Sequence, residues 1–163
     1  MEPIRGWWAV SAALVIVALA GLAAIPMGTV ASPPETGSGS YVVTGADITD
    51  VRFGEDGTVF VTETEYADAT GTLIGTFAHD LVVAIHPDGT LNFHGKGTFT
   101  GTVDGVSGSF EDTIEGQGSV VSGELHGTIT ILQGSGHLAG LQGRVTIEGI
   151  PATGGTYVVE YQL

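Results

Sequence analysis

Between Phe93 and Tyr161 the side chains change character at every second position, a pattern that suits a half-buried β-strand and no helix. Gly95, Gly97, Phe99, Gly101 and Val103 alternate with His94, Lys96, Thr98, Thr100 and Thr102. The period returns in Val121, Gly123, Leu125, Gly127, Ile129 and Ile131, then in Leu141, Gly143, Val145 and Ile147, and finally in Tyr157, Val159 and Tyr161. From Tyr41 to Leu163 no stretch repeats its apolar residues at helical spacing, and strand and turn formers dominate. Asp56-Gly57, Pro87-Asp88-Gly89 and Asp104-Gly105 each supply the positive-φ residues of tight hairpins. About eight to ten short strands joined as neighbours predict an antiparallel barrel or sandwich. Glycine on so many inward positions marks tight bending or close packing beneath aromatic rings, which a closing barrel needs. The fold predicted is therefore all-β, a small antiparallel β-barrel, with a sandwich second.

The N-terminus has a different character. Trp7 to Ile25 is an uncharged run of 19 apolar and small residues after Arg5, stopped by Pro26. Thr29 and Ala31 have the spacing that a signal peptidase reads, which predicts cleavage after Ala31. The run also reaches bilayer-spanning length, so residues 1–31 read as a signal peptide or a signal anchor, a single hydrophobic helix ahead of the barrel. Either reading places the domain outside the cytoplasm, with membrane contact only through an uncleaved leader. Residues 32–40, SPPETGSGS, read as a flexible spacer, and residues 41–163 as the barrel.

Composition removes several function classes. The chain has no Cys, which excludes disulfide scaffolds, thiolate nucleophiles, Cys-type zinc sites and a lipidated-Cys anchor. Four basic against 18 acidic residues give a formal charge of −14, leaving no basic surface for a nucleic-acid backbone.

Three segments carry a resemblance: Gly101-Thr102-Val103-Asp104-Gly105 to Gly108-Ser109-Phe110, then Gly134-Ser135-Gly136-His137-Leu138-Ala139-Gly140-Leu141-Gln142-Gly143, and Tyr157-Val158-Val159-Glu160-Tyr161. Together they resemble an uncharacterised bacterial family of small β-barrels, similar in fold to the plant isomerase allene oxide cyclase and more distantly to calycin-like, ligand-holding barrels. The match is strongest from Phe93 to Tyr161, weaker from Tyr41 to His86, and absent in the leader. The resemblance implies a fold and transfers no activity. Within the second segment, Gly134-Ser135-Gly136 reads as a turn, and Leu138 and Leu141 as apolar plugs beside a bend at Gly140 and Gly143.

Motifs for chemistry are sparse. Gly105-Val106-Ser107-Gly108-Ser109 approaches a nucleophile elbow, but its fifth residue is Ser and no helix follows. The five His are dispersed, so neither a metal site nor a cofactor is expected. His94 and His126 fall on wet faces, and His86 and His137 abut turns. His79 shares its face with Phe77, Leu81, Val83 and Ile85, and would enter the core. Glu63 and Glu65 continue a face begun by Val59 and Val61. If that face is inward, two carboxylates enter the barrel; if the Phe60 to Tyr66 face is inward, both are solvated. The cost of burying an unpaired carboxylate favours the solvated reading. Glu63, Glu65 and His79 are the candidate ligand-lining residues, and no catalytic residue is assigned. The expectation is an exported β-barrel binding module that holds a small apolar ligand or partner. The rivals are an isomerase or cyclase similar to allene oxide cyclase, and a structural surface domain without a ligand.

Overall fold

A computed structural model describes residues 33–163, so the expected leader helix lies outside the described residues. Eight strands follow one another: β1 (Glu35–Phe53), β2 (Val59–Gly71), β3 (Leu73–Ile85), β4 (Thr90–Val103), β5 (Val106–Ser119), β6 (Glu124–Gly136), β7 (Gln142–Ile150) and β8 (Gly154–Gln162). Each pairs antiparallel with the next and β8 pairs with β1, so the sheet closes into a ring. Closure removes the edges that would otherwise leave rows of backbone donors unpaired.

The turns follow from their residues. Asp104 and Gly105 both have positive φ, 48° and 81°, the combination that joins two twisted strands through two residues. At the opposite end of the ring, Asp56-Gly57-Thr58 and Asp88-Gly89-Thr90 repeat one device, in which the Asp carboxylate accepts from the Thr amide and hydroxyl two residues on. Those bonds, the backbone one first at Asp56 and the hydroxyl one first at Asp88, hold both carboxyls below the usual aspartate range.

Glu35 to Ser40, read from composition as flexible spacer, instead pairs with β8 from Glu35–Tyr161 to Ser40–Thr156 and closes the ring. The small residues are needed for close approach. A Cβ on Gly39 would meet the Tyr157 hydroxyl at 2.4 Å, and one on Gly37 would strike the Thr72 side chain. The Tyr157 hydroxyl also receives the Leu73 amide at 2.7 Å, and Tyr161 donates to Glu35 at 3.0 Å across the seam. Two further readings are corrected. Val121 is exposed in the β5–β6 turn, where the Ser119 hydroxyl accepts from the Val121 and Ser122 amides and delays the next strand until Glu124. Gly134-Ser135-Gly136 belongs to β6, paired with Gly108 to Phe110, and the turn comes after it.

The two ends of the ring are filled differently. At the end carrying the β2–β3, β4–β5 and β6–β7 connections, Phe99 stacks on Phe110 and meets Phe77 at a tilt, each with centroids 4.8 Å apart, and Leu138 and Leu141 plug the interior. The plug fits because a row of glycines, Gly75–Gly101–Gly108–Gly136, crosses β3 to β6 beneath it. A Cβ on Gly108 would lie 2.9 Å from Leu138 Cγ, and one on Gly75 would lie 3.0 Å from Phe99. The other end stays open.

Candidate functional site

The phase of β2 decides the character of the interior. Ala67 and Ala69, both buried, continue the Val59, Val61, Glu63, Glu65 face inward, while Phe60 and Tyr66 lie on the outside. Tyr66 donates to Asp47 out there. The solvated reading of Glu63 and Glu65 is therefore overturned: both side chains are half-buried inside the ring. Their position near the open end, rather than in the plugged half, moderates the desolvation cost that had argued against it.

The open end encloses a cavity of about 260 Å³. Its rim is made by Ile48, Val120, Ile150 and Pro151, and its wall by Val61, Val83, Ile85, Leu91, Phe93 and Leu125. Tyr41, Glu63 and Glu65 are its polar members. A smaller pocket of about 30 Å³ continues inward, sharing Tyr41, Glu65, Ile114 and Ile147 with the first and reaching His79.

His79 is only 4% exposed, stacks on Phe77 at 5.2 Å, and places Nε2 3.0 Å from Oδ1 of Asp112. Asp112 itself is 1% exposed, and its Oδ2 has no hydrogen-bond partner among the described residues. The pair forms across an intervening strand. Glu65, His79, Gly97 and Asp112 occupy one row of direct cross-strand neighbours from β2 to β5. Only a residue without a side chain lets His79 cross β4: a Cβ on Gly97 would lie 2.2 Å from His79 Cδ2. Asp112 was not among the residues singled out from sequence, although Phe110, Asp112 and Ile114 share an inward phase. His94, His126 and His137 are exposed, and His86 bridges Thr58 and Asn92 at the turns of the open end. Among the described residues no group of three acidic or His side chains is placed to hold a metal ion.

Electrostatically the open cavity has one negative pole. Burial raises the Glu63 carboxyl above its ordinary value. Burial first, then the Glu63 charge, raise that of Glu65, with His79 partly offsetting them. Burial and the Glu65 charge push the Tyr41 hydroxyl up to about 12. A carboxyl whose folded-state value is raised binds more protons folded than unfolded, so it costs the fold stability as pH rises from the ordinary 4.5 through the raised value. Glu65→Gln is therefore expected to raise the melting temperature by about 2–4 °C near pH 7 and to leave it unchanged near pH 4, as followed by circular dichroism. An equal shift at both pH values would show that charge is not the cause.

Against this geometry stand the comparisons with known proteins. A family model described as "Protein of unknown function (DUF3224)" matches residues 37–161. A crystal structure of a DUF3224-family protein of unknown function from Shewanella oneidensis MR-1 superposes with a TM-score of 0.64 at 18% identity, covering 78% of this chain and 96% of that one. At that identity the likeness speaks for the fold alone. No curated protein matches the chain.

Proposed function

The chain belongs to the DUF3224 family, and from the form of its interior we propose that it is an exported β-barrel binding module that holds a small apolar ligand at the open end. The observation that carries this reading is the 260 Å³ cavity, walled by aliphatic side chains and Phe93 and entered past a rim of exposed Ile48, Val120 and Ile150. Interiors normally close to crystal-like density, as the plugged half of this ring does. In the open half the inward positions of β4, β5 and β6 hold Gly95, Gly116 and Gly127, over which Leu81, Phe93 and Ile147 lie against the wall, and the space beyond those side chains is the cavity. Preformed apolar cavities with a few polar groups are the usual form of small-molecule sites. The finer reading of the ring as an allene oxide cyclase-like barrel, and of residues 1–31 as an export signal or anchor, belongs to the same proposal.

The cavity corresponds to about nine methylene-sized groups at roughly 30 Å³ each. 1-Octanol is thus a suitable probe. Calorimetric titration of the full chain is expected to give a dissociation constant of about 0.1–1 mM, from burial of the chain less the cost of association. Val83→Trp, which fills the wall, is expected to abolish that heat while keeping the β-sheet circular dichroism spectrum. No heat with the wild-type protein, or unchanged binding in the variant, overturns the reading. A second reading, an isomerase that holds an unsaturated ligand in a productive shape, is favoured by the buried His79–Asp112 pair beside the inner pocket, since such catalysis needs little beyond a shaped cavity and one or two polar groups.

A further inference from the structure

The cavity is polar in one direction only. Glu63 and Glu65 stand two residues, about 7 Å of backbone, apart on one face of β2, and both side chains line the cavity. No Lys or Arg among the described residues lines it. Among the described residues, Arg52 is exposed and paired with Asp50 at 2.8 Å, and Lys96 and Arg144 lie on the outer face. His79, the nearest basic group, is committed to Asp112 through Nε2. Across the cavity, over Gly149 of β7, the buried Tyr41 hydroxyl is a further lining oxygen with no hydrogen-bond partner among the described residues. The pole therefore presents acceptor oxygens and uncompensated negative charge at one side of an apolar chamber.

We propose that the cavity takes a primary alkylammonium amphiphile, its chain against the aliphatic wall and its nitrogen donating to Glu63 and Glu65. This rests on the binding-module reading above and names its ligand class. An ammonium group carries three donors and no acceptor, the complement of this pole, and charge-assisted bonds to carboxylates are about twice as strong as neutral ones. An alcohol brings one donor. A carboxylate brings only acceptors and a like charge, so a fatty acid is the amphiphile this pole rejects. A seated cation also relieves the repulsion between the two glutamates, which adds to burial in raising the Glu65 carboxyl.

The test compares three eight-carbon probes on the full chain near neutral pH by calorimetry: octylammonium, 1-octanol and octanoate. Octylammonium is expected to bind about tenfold or more tighter than 1-octanol, and octanoate more weakly than either. In the Glu63→Gln/Glu65→Gln double variant the preference is expected to vanish while 1-octanol binding, which also reports an intact cavity, persists. The wild-type preference is further expected to survive about 0.5 M sodium chloride, because charges inside the ring are screened far less than exposed ones. Equal binding of alcohol and ammonium overturns this inference and leaves the cavity reading standing. So does a preference that salt abolishes, or one that persists in the double variant, since either traces it to the acidic exterior. Binding of none of the three by the wild-type protein overturns both.

Discussion

Asp112→Ala is expected to destabilise the fold by about 3–5 kcal/mol in equilibrium denaturation, whereas the His79→Leu/Asp112→Leu double variant should lie within about 1 kcal/mol of wild type. The asymmetry comes from what each change leaves behind. The single variant strands His79, 4% exposed and packed against Phe77, without the carboxylate that its Nε2 faces. Leaving a buried polar group unpaired costs its full desolvation. The double variant removes both partners and replaces them with apolar volume between Phe77, Ile114 and Ile129, which are already buried. The pair is thus costly to break and of little net value to the fold, the usual behaviour of buried, mutually paired polar groups. A single variant within about 1 kcal/mol of wild type would show that the His79–Asp112 contact is not made in solution. A double variant as damaged as the single one would show that the pair itself stabilises the ring.

How far the sequence speaks for itself depends on whether the information is local. The alternation of β4, β6, β7 and β8 is local, and it announces a half-buried sheet, just as Asp104-Gly105 announces its hairpin. Leu138 and Leu141 also read correctly as plugs, because two apolar residues in a glycine-rich corner have nowhere to go but inward. In β2 the local signal is balanced: Val59 and Val61 on one face match Phe60 and Tyr66 on the other, and only Ala67, Ala69 and the register with Phe77, His79 and Leu81 settle the phase. Asp112 stayed hidden for a different reason. Between Glu111 and Thr113 an aspartate looks like one more solvated acid, and its partner lies 33 residues away in sequence, two strands over in space. Gly37 and Gly39 misled in the opposite sense, since composition alone does not distinguish a glycine that frees a linker from one that makes room for a tyrosine hydroxyl.

Gly97→Ala should disconnect the same pair without altering either member, at a cost of about 3 kcal/mol. The added Cβ meets the His79 ring at 2.2 Å and the Ala78 carbonyl oxygen at 2.6 Å, so it needs both a side-chain and a backbone shift. His79 has little room to withdraw, with Phe77 stacked on it and the neighbouring interior buried. Once the ring is displaced, the contact to Asp112 lengthens or is lost, and further loss of Asp112 then removes an interaction that no longer exists. The Gly97→Ala/Asp112→Ala double variant is accordingly expected to be more stable than additivity predicts, with a coupling of about 1–2 kcal/mol in a double-mutant cycle. The backbone clash with Ala78 is independent of Asp112 and persists in both arms, which keeps the coupling below the full cost of either change. Strict additivity would mean that His79 reaches Asp112 by a route that does not pass over Gly97, and the row Glu65–His79–Gly97–Asp112 would then lose its meaning as the feature that ties the inner pocket to β5.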